Sequence, residues 1–318
     1  MFKHVLQAVA ACFLWGIVFA MPVYLSEFSS IDIVFGRFLV YGSLSSLILG
    51  YYTLVKKEKD FLKYWKEAFL CALIMNVIYF SALIFGSRFT APSIITMIIG
   101  TGPITITLFS CLLKQDKKLL ALFFAPSLSI LLGLFLMCFQ AMQNEMDGLS
   151  LQKHVQGFFL GLVALGSWTW YVIFNSKVLR ENQEIRPVQW TALIGSITFL
   201  FTLVGTVIHG ALNEPDYFIQ FSFNHSVGQT FWIGAFTLGI LCSWAAFTLW
   251  NLAGSHLNPA LSGQISILET LFGLSLIYML QGQYPTFLEM IGALLILSGV
   301  SFGLYSFSDH EKKIAESV

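Results

Sequence analysis

The chain has 318 residues, 57% hydrophobic and 11% charged, with a formal net charge of zero. Soluble domains of this size carry about a quarter charged residues, so a surface this poor in charge belongs against lipid. The charge balance argues against a nucleic-acid-binding protein. Five scattered cysteines without CxxC spacing (Cys12, Cys71, Cys111, Cys138, Cys242) fit neither a disulfide framework nor a metal site.

Crossing the hydrocarbon core takes about 20 mostly apolar residues. Ten such runs follow one another, at 4–22, 34–55, 67–86, 93–113, 119–140, 157–176, 188–210, 230–250, 260–280 and 288–306. Their unbroken length excludes a β-barrel, whose strands alternate over short segments. The first run follows Lys3 as a signal peptide would, but it contains Gln7 and Trp15 and matches a later segment. Arg37 lies early in the second run, where it is expected to reach the interface or pair with Asp32 or a helix end; attraction of an anionic group is the alternative. In the third run Asn76 and Tyr79 share a helical face. In the fourth, Ser93, Thr96, Gly100, Pro103 and Thr107 make a small-residue face suited to close packing and a moving gate, with Pro103 freeing a carbonyl.

The sixth run carries Ala164, Trp168, Tyr171 and Asn175 on one stripe, and the eighth Trp244, Thr248 and Asn251. Trp15, Tyr79, Trp168, Tyr171 and Trp244 lie far from the ends of their runs, where interfacial belts do not account for them. Each could be packing; together they suggest an aromatic cavity for an organic cation or an apolar side chain. Between the seventh and eighth runs, Asn213-Glu-Pro-Asp216 reads as a turn and Asn224-His-Ser226 as a chance sequon. Pro259 opens the ninth run as a second gating candidate, and Ser262, Ser266, Glu269 and Gly273 share a face. An acid such as Glu269 in mid-span is costly and usually faces a cavity. It is a candidate contact for an amino-bearing or cationic substrate and a candidate proton carrier; a structural acid is the alternative. The six histidines show no ligand spacing, and neither metal nor cofactor is expected.

With the N-terminus inside, 14 of the 17 Lys and Arg fall on the cytoplasmic side: Lys3; Lys56, Lys57, Lys59, Lys63 and Lys66; Lys114, Lys117 and Lys118; Lys177, Arg180 and Arg186; Lys312 and Lys313. This asymmetry supports ten spans with both termini cytoplasmic. The chain also divides near Gln152. Trp15-Gly-Ile-Val-Phe19 resembles Trp170-Tyr-Val-Ile-Phe174, Ala91-Pro-Ser93 resembles Asn258-Pro-Ala260, and Leu131-Leu-Gly133 resembles Leu297-Ser-Gly299, at offsets of 155, 167 and 166. Residues 1–152 and 153–318 thus read as two five-helix repeats. Five being odd, the second is inverted, a design that lets two halves exchange access around a central site.

Leu14-Trp15-Gly16, Arg37-Phe38, Leu257-Asn-Pro-Ala260, Leu268-Glu269 and the Ile291–Val300 run of Gly, Ala, Leu and Ile resemble the drug/metabolite transporter superfamily, EamA-type branch. Thr270 stands where that family's ninth span has proline, Gly102-Pro103 keeps a proline without the acid, and Lys114-Gln115-Asp116 and Gln281-Gly-Gln283 replace the acid expected after these spans. The resemblance implies a ten-helix fold around a midplane cavity, in a bacterial inner membrane, and secondary transport of amino acids or related metabolites, often export. The expected function is alternating-access transport of an amino acid, zwitterion or amine, with Glu269, Trp15, Tyr79, Trp168, Tyr171, Trp244, Asn76 and Ser266 at the substrate. Transport of an organic anion or cation, and a non-transporting receptor or scaffold, are the alternatives. No HExxH, GxSxG or Walker motif supports an enzyme or an ATP-driven pump.

Overall fold

A computed structural model of the chain describes residues 2–25, 27–90, 92–114, 117–145, 151–212, 222, 226–282 and 284–316. The turn at 213–216 and all of the sequon but Ser226 lie outside the described residues. The regular structure among the described residues is all helical. Among the described residues, eight helical stretches are long and apolar enough to cross a bilayer, and Phe2–Val18 and Ile94–Ser110 are shorter apolar stretches.

In chain order the elements are α1 (Phe2–Tyr24), α2 (Ser30–Gly50, extended by a π-turn at Tyr51–Val55), α3 (Trp65–Cys71), α4 (Phe80–Phe89), α5 (Pro92–Gly100), α6 (Gly102–Lys114), α7 (Lys117–Glu145), α8 (Leu151–Glu181), α9 (Pro187–Ala211), α10 (Ser226–Phe236), α11 (Ala246–Gly254), α12 (Pro259–Ser266), α13 (Leu268–Gln281) and α14 (Phe287–Glu316). Their starts are chemically marked. Ser29 caps α2, its hydroxyl accepting from the Asp32 amide at 3.2 Å. Asn258 caps α12 in the same way, accepting from Ala260, with Pro259 at the first helical position. Gly282, at φ 63°, ends α13 in the left-handed conformation.

Besides the second run, which ends in the π-turn after α2, four of the apolar runs are not the uniform helices that their composition predicts. π-helical segments join α3 to α4 (Ala72–Tyr79) and α10 to α11 (Thr237–Ala245). Tight turns interrupt two others, between α5 and α6 at Thr101 and between α12 and α13 at Ile267. The Thr101 amide donates to the Ile98 carbonyl and the Thr270 amide to the Ile267 carbonyl, each at 3.1 Å. The π-segments begin 165 residues apart and the turns lie 166 apart.

Packing follows small residues. α7 runs along α14 and α2 along α9. A Cβ added at Gly133 would sit 2.5 Å from the Gly292 carbonyl oxygen, and one at Gly299 would sit 2.8 Å from that of Pro126. Backbone therefore touches backbone at two points of this crossing, as small residues allow in membranes. Ser129 adds a hydroxyl hydrogen bond to the Leu295 carbonyl at 2.8 Å. Gly16 brings α1 equally close to Phe272 of α13. Large apolar side chains such as Leu47, Phe124, Leu200, Val204 and Leu294 point outward, as lipid contact requires.

Candidate functional site

The predicted aromatic residues converge, with one exception. The Trp168 ring, on α8, lies 5.7 Å from Trp15, 6.0 Å from Tyr79 and 6.0 Å from Tyr171, centroid to centroid. Two further members, Phe247 and Trp250 on α11, close the layer against Trp15 at 5.5 and 5.2 Å. Neither stood out in the sequence, because one more Trp or Phe in an apolar run carries no signal of its own. Trp244, the exception, only packs at the edge of the core, and its buried Nε1 has no hydrogen-bond partner.

Below this layer lies a buried polar chain. The Asn175 side-chain amide donates to Asn251 Oδ1 at 2.8 Å, and Trp190 Nε1 donates to Asn175 Oδ1 at 2.7 Å. Asn251 donates to Thr191 Oγ1 at 2.8 Å, and the Tyr41 hydroxyl donates to the Thr191 carbonyl at 3.2 Å. Stripe positions Asn175 and Asn251 thus tie α8, α9 and α11 together. A crevice of about 200 Å³ of interatomic space, too narrow for a water molecule, runs between Tyr41, Met75, Asn76, Tyr171, Thr191, Ile194, Phe247 and Asn251. Asn76 donates to Thr198 Oγ1 at 2.8 Å, while its buried Oδ1 has no partner.

The polar stripe expected on the ninth run is divided by the turn at Ile267. Ser266 is buried and its hydroxyl donates back to the Gly263 carbonyl at 2.8 Å. Glu269 sits in the first turn of α13, half-buried, and its carboxylate accepts no hydrogen bond among the described residues. A carboxylate there complements the positive end of the helix dipole. Pro103 and Pro259 open α6 and α12 next to breaks in the chain, so both start helices rather than bend them.

The interfacial expectation for Arg37 is overturned. It is 3% exposed and turned into the protein. Its Nε donates to Ser243 Oγ at 2.8 Å, its Nη2 to the Cys242 carbonyl at 3.3 Å, and its guanidinium lies 4.5 Å from the Phe80 ring centroid. Both hydrogen-bond partners belong to the π-segment at Thr237–Ala245. Asp32 instead accepts from the Ser29 hydroxyl at 2.6 Å and faces His209 Nε2 at 3.9 Å.

Contacts between helix ends sort by side. Lys63 pairs with Glu184 at 3.1 Å and Arg186 with Glu58 at 3.5 Å, and the rings of His4 and His256 stack at 3.9 Å. At the other ends, Thr90 meets His154 at 2.9 Å, and Asp32 faces His209. The hydrogen bond from the Tyr64 hydroxyl, with that from Lys63, holds the Glu184 carboxyl down at about 2. Its contribution to this junction is therefore complete above the usual carboxylate pKa of about 4.3 and disappears as pH falls towards 2. Hydrogen-exchange protection of residues 182–186, normalised for intrinsic rate, should fall across that window; in Glu184→Gln it should be flat.

Residues 2–143 match the model of the EamA-like transporter family. Over 325 aligned residues the chain is 29% identical to inner membrane protein YtfF of Escherichia coli (strain K12), covering 100% of this chain and 99% of that protein. It is 24% identical over 156 residues to a probable amino-acid metabolite efflux pump of Salmonella typhimurium (strain LT2), covering 48% of this chain and 50% of that protein. A solved structure described as "Crystal structure of protein" shares the fold with a TM-score of 0.72 at 18% identity, covering 94% of this chain and 95% of the other.

Proposed function

We propose that this multi-pass cell-membrane protein is a member of the EamA-like transporter family, whose model its residues 2–143 match, and a secondary transporter of an amino acid or a related zwitterion or amine. The observation that carries this reading is Glu269. An acid inside a membrane span, half-buried and with no hydrogen bond to its carboxylate among the described residues, is placed to meet an ammonium group or a proton.

Ten spans in two inverted halves, 1–152 and 153–318, would supply the alternating access. The spacing of 165 and 166 residues between the paired π-segments and between the paired turns supports this, as does the Gly133–Gly292 and Pro126–Gly299 crossing, whose two contacts exchange under a shift of 166. The sorted helix ends agree with alternating crossings and both termini inside. Lys63 with Glu184, Arg186 with Glu58, and His4 with His256 join segments assigned to the cytoplasm; Thr90 with His154, and Asp32 with His209, join segments assigned to the outside. Pro103 and Pro259, beside the breaks, are where the gates would flex. Trp15, Tyr79, Trp168 and Tyr171 would form the apolar wall and Asn76 and Ser266 its polar margin; Trp244 would join only if the cavity widened.

The test is counterflow in proteoliposomes with wild type and Glu269→Gln, scanning amino acids and amines with and without a pH gradient. The substitution keeps the shape and removes the charge. Flux should fall by about tenfold or more, the loss expected for removing one partner of a buried charged contact. Unchanged flux with unchanged pH dependence would remove Glu269 from the site. Ligand binding without any flux in wild type would favour a receptor instead.

A further inference from the structure

Arg37 is charged at every accessible pH, and a guanidinium within a membrane span is costly unless its surroundings compensate. Compensation here is incomplete. Of five N–H donors, two are used, by Ser243 Oγ and the Cys242 carbonyl. Nη1 has no hydrogen-bond partner among the described residues. The Phe80 face adds a cation–π contact. The opposite charge is Glu269, which interacts electrostatically with Arg37 across the core but makes no direct ion pair with it. Tyr79, beside Phe80 in the chain, packs tilted against Trp168 of the aromatic layer at 6.0 Å. The result is two separated poles of opposite sign, each short of partners, beside an apolar wall.

We propose that Arg37 is the carboxylate anchor of the substrate site and that Arg37 and Glu269 together select a zwitterion, the α-carboxylate on the guanidinium and the α-ammonium on Glu269. A planar fork of N–H donors suits a carboxylate, which it can grip with two hydrogen bonds. The two poles sum to zero, and so does an α-amino acid. It can enter the low-dielectric centre without adding net charge, whereas an amine or an organic acid alone leaves one pole unmet and brings an uncompensated charge. The π-segment carrying Cys242 and Ser243 aims the guanidinium, since both of its hydrogen-bond acceptors lie there. This inference rests on the transporter reading above and goes further by assigning the anion half of the site.

The experiment is thermal stabilisation and counterflow with matched probes: the neutral amino acids, their methyl esters, their decarboxylated amines and their deaminated acids. Wild type should respond to at least one amino acid at concentrations tenfold or more below those needed for its ester, amine or deaminated acid. Arg37→Gln should lose that preference, the ester then binding as well as the parent, and Arg37→Lys should restore part of it. Unfolding without ligand is the control for folding. If Arg37→Gln does not fold, Ser243→Ala replaces it and should narrow the preference for the parent over the ester. If ester or amine binds wild type as well as the amino acid, the anchor is wrong while transport of amines stands. If none of the four classes binds or moves, both the anchor and the transporter reading fall.

Discussion

Valine at Gly133 is expected to prevent stable packing of α7 on α14. The added carbon would meet the Gly292 carbonyl oxygen at 2.5 Å and the Ile296 amide nitrogen at 3.0 Å. Overpacking costs about 1–3 kcal/mol where a side chain can move aside. Here the obstacles include backbone in regular helix, so the cost should exceed that range. In detergent the variant should run as aggregate on size exclusion, or melt far below wild type. Gly299→Val, which would strike the Pro126 carbonyl, should behave alike. Gly166→Ala is the control, because nothing lies within 4 Å of the added carbon, and helix propensity alone should stabilise it by up to about 1 kcal/mol. A Gly133→Val protein with a wild-type melting profile would contradict the crossing.

The second large effect belongs to Asn251. Asn251→Leu removes the acceptor of the Asn175 amide and the donor to Thr191, both fully inside the protein. Each buried group left unpaired costs about 1–3 kcal/mol, so a loss of about 2–5 kcal/mol is expected from denaturant or thermal unfolding. The double variant Asn175→Leu with Asn251→Leu should cost less than the two singles combined, the coupling falling within about 0.5–3 kcal/mol. Simple additivity would mean that the network does not act as a unit.

The helices were legible in the sequence because lipid imposes length. Each apolar run falls mainly on helix, and two helices extend beyond their runs: Lys117–Glu145 around 119–140, and Leu151–Glu181 around 157–176. Polar spacing also worked, as Ala164, Trp168, Tyr171 and Asn175 are all buried on one face. What escaped was interruption. Gly102-Pro103 beside Thr101 marks a bend, but Ile267 has no such neighbour, and the π-segments are as apolar as the helices they join. Arg37 was misjudged for a related reason. Its position near a span end suggested water, while its partner, the Cys242 carbonyl, is a backbone group that no side-chain pattern reveals. Phe247 and Trp250 entered the aromatic layer through tertiary packing alone.

The pairing of helices has a consequence for how the protein is made. α1 lies along α13, α2 along α9, and α7 along α14. Each early helix therefore finds its main partner only in the second half of the chain. Leu268, the first residue of α13, is synthesised 266 residues after Phe2, an interval of roughly 13–53 s at ordinary translation rates. Throughout that wait the early helices must reside in lipid with their glycine grooves unfilled, retained by their own apolarity. Of these three pairs, α1 waits longest for its partner. Biogenesis should accordingly be most sensitive at the first helix, whose final contacts are among the last to arrive.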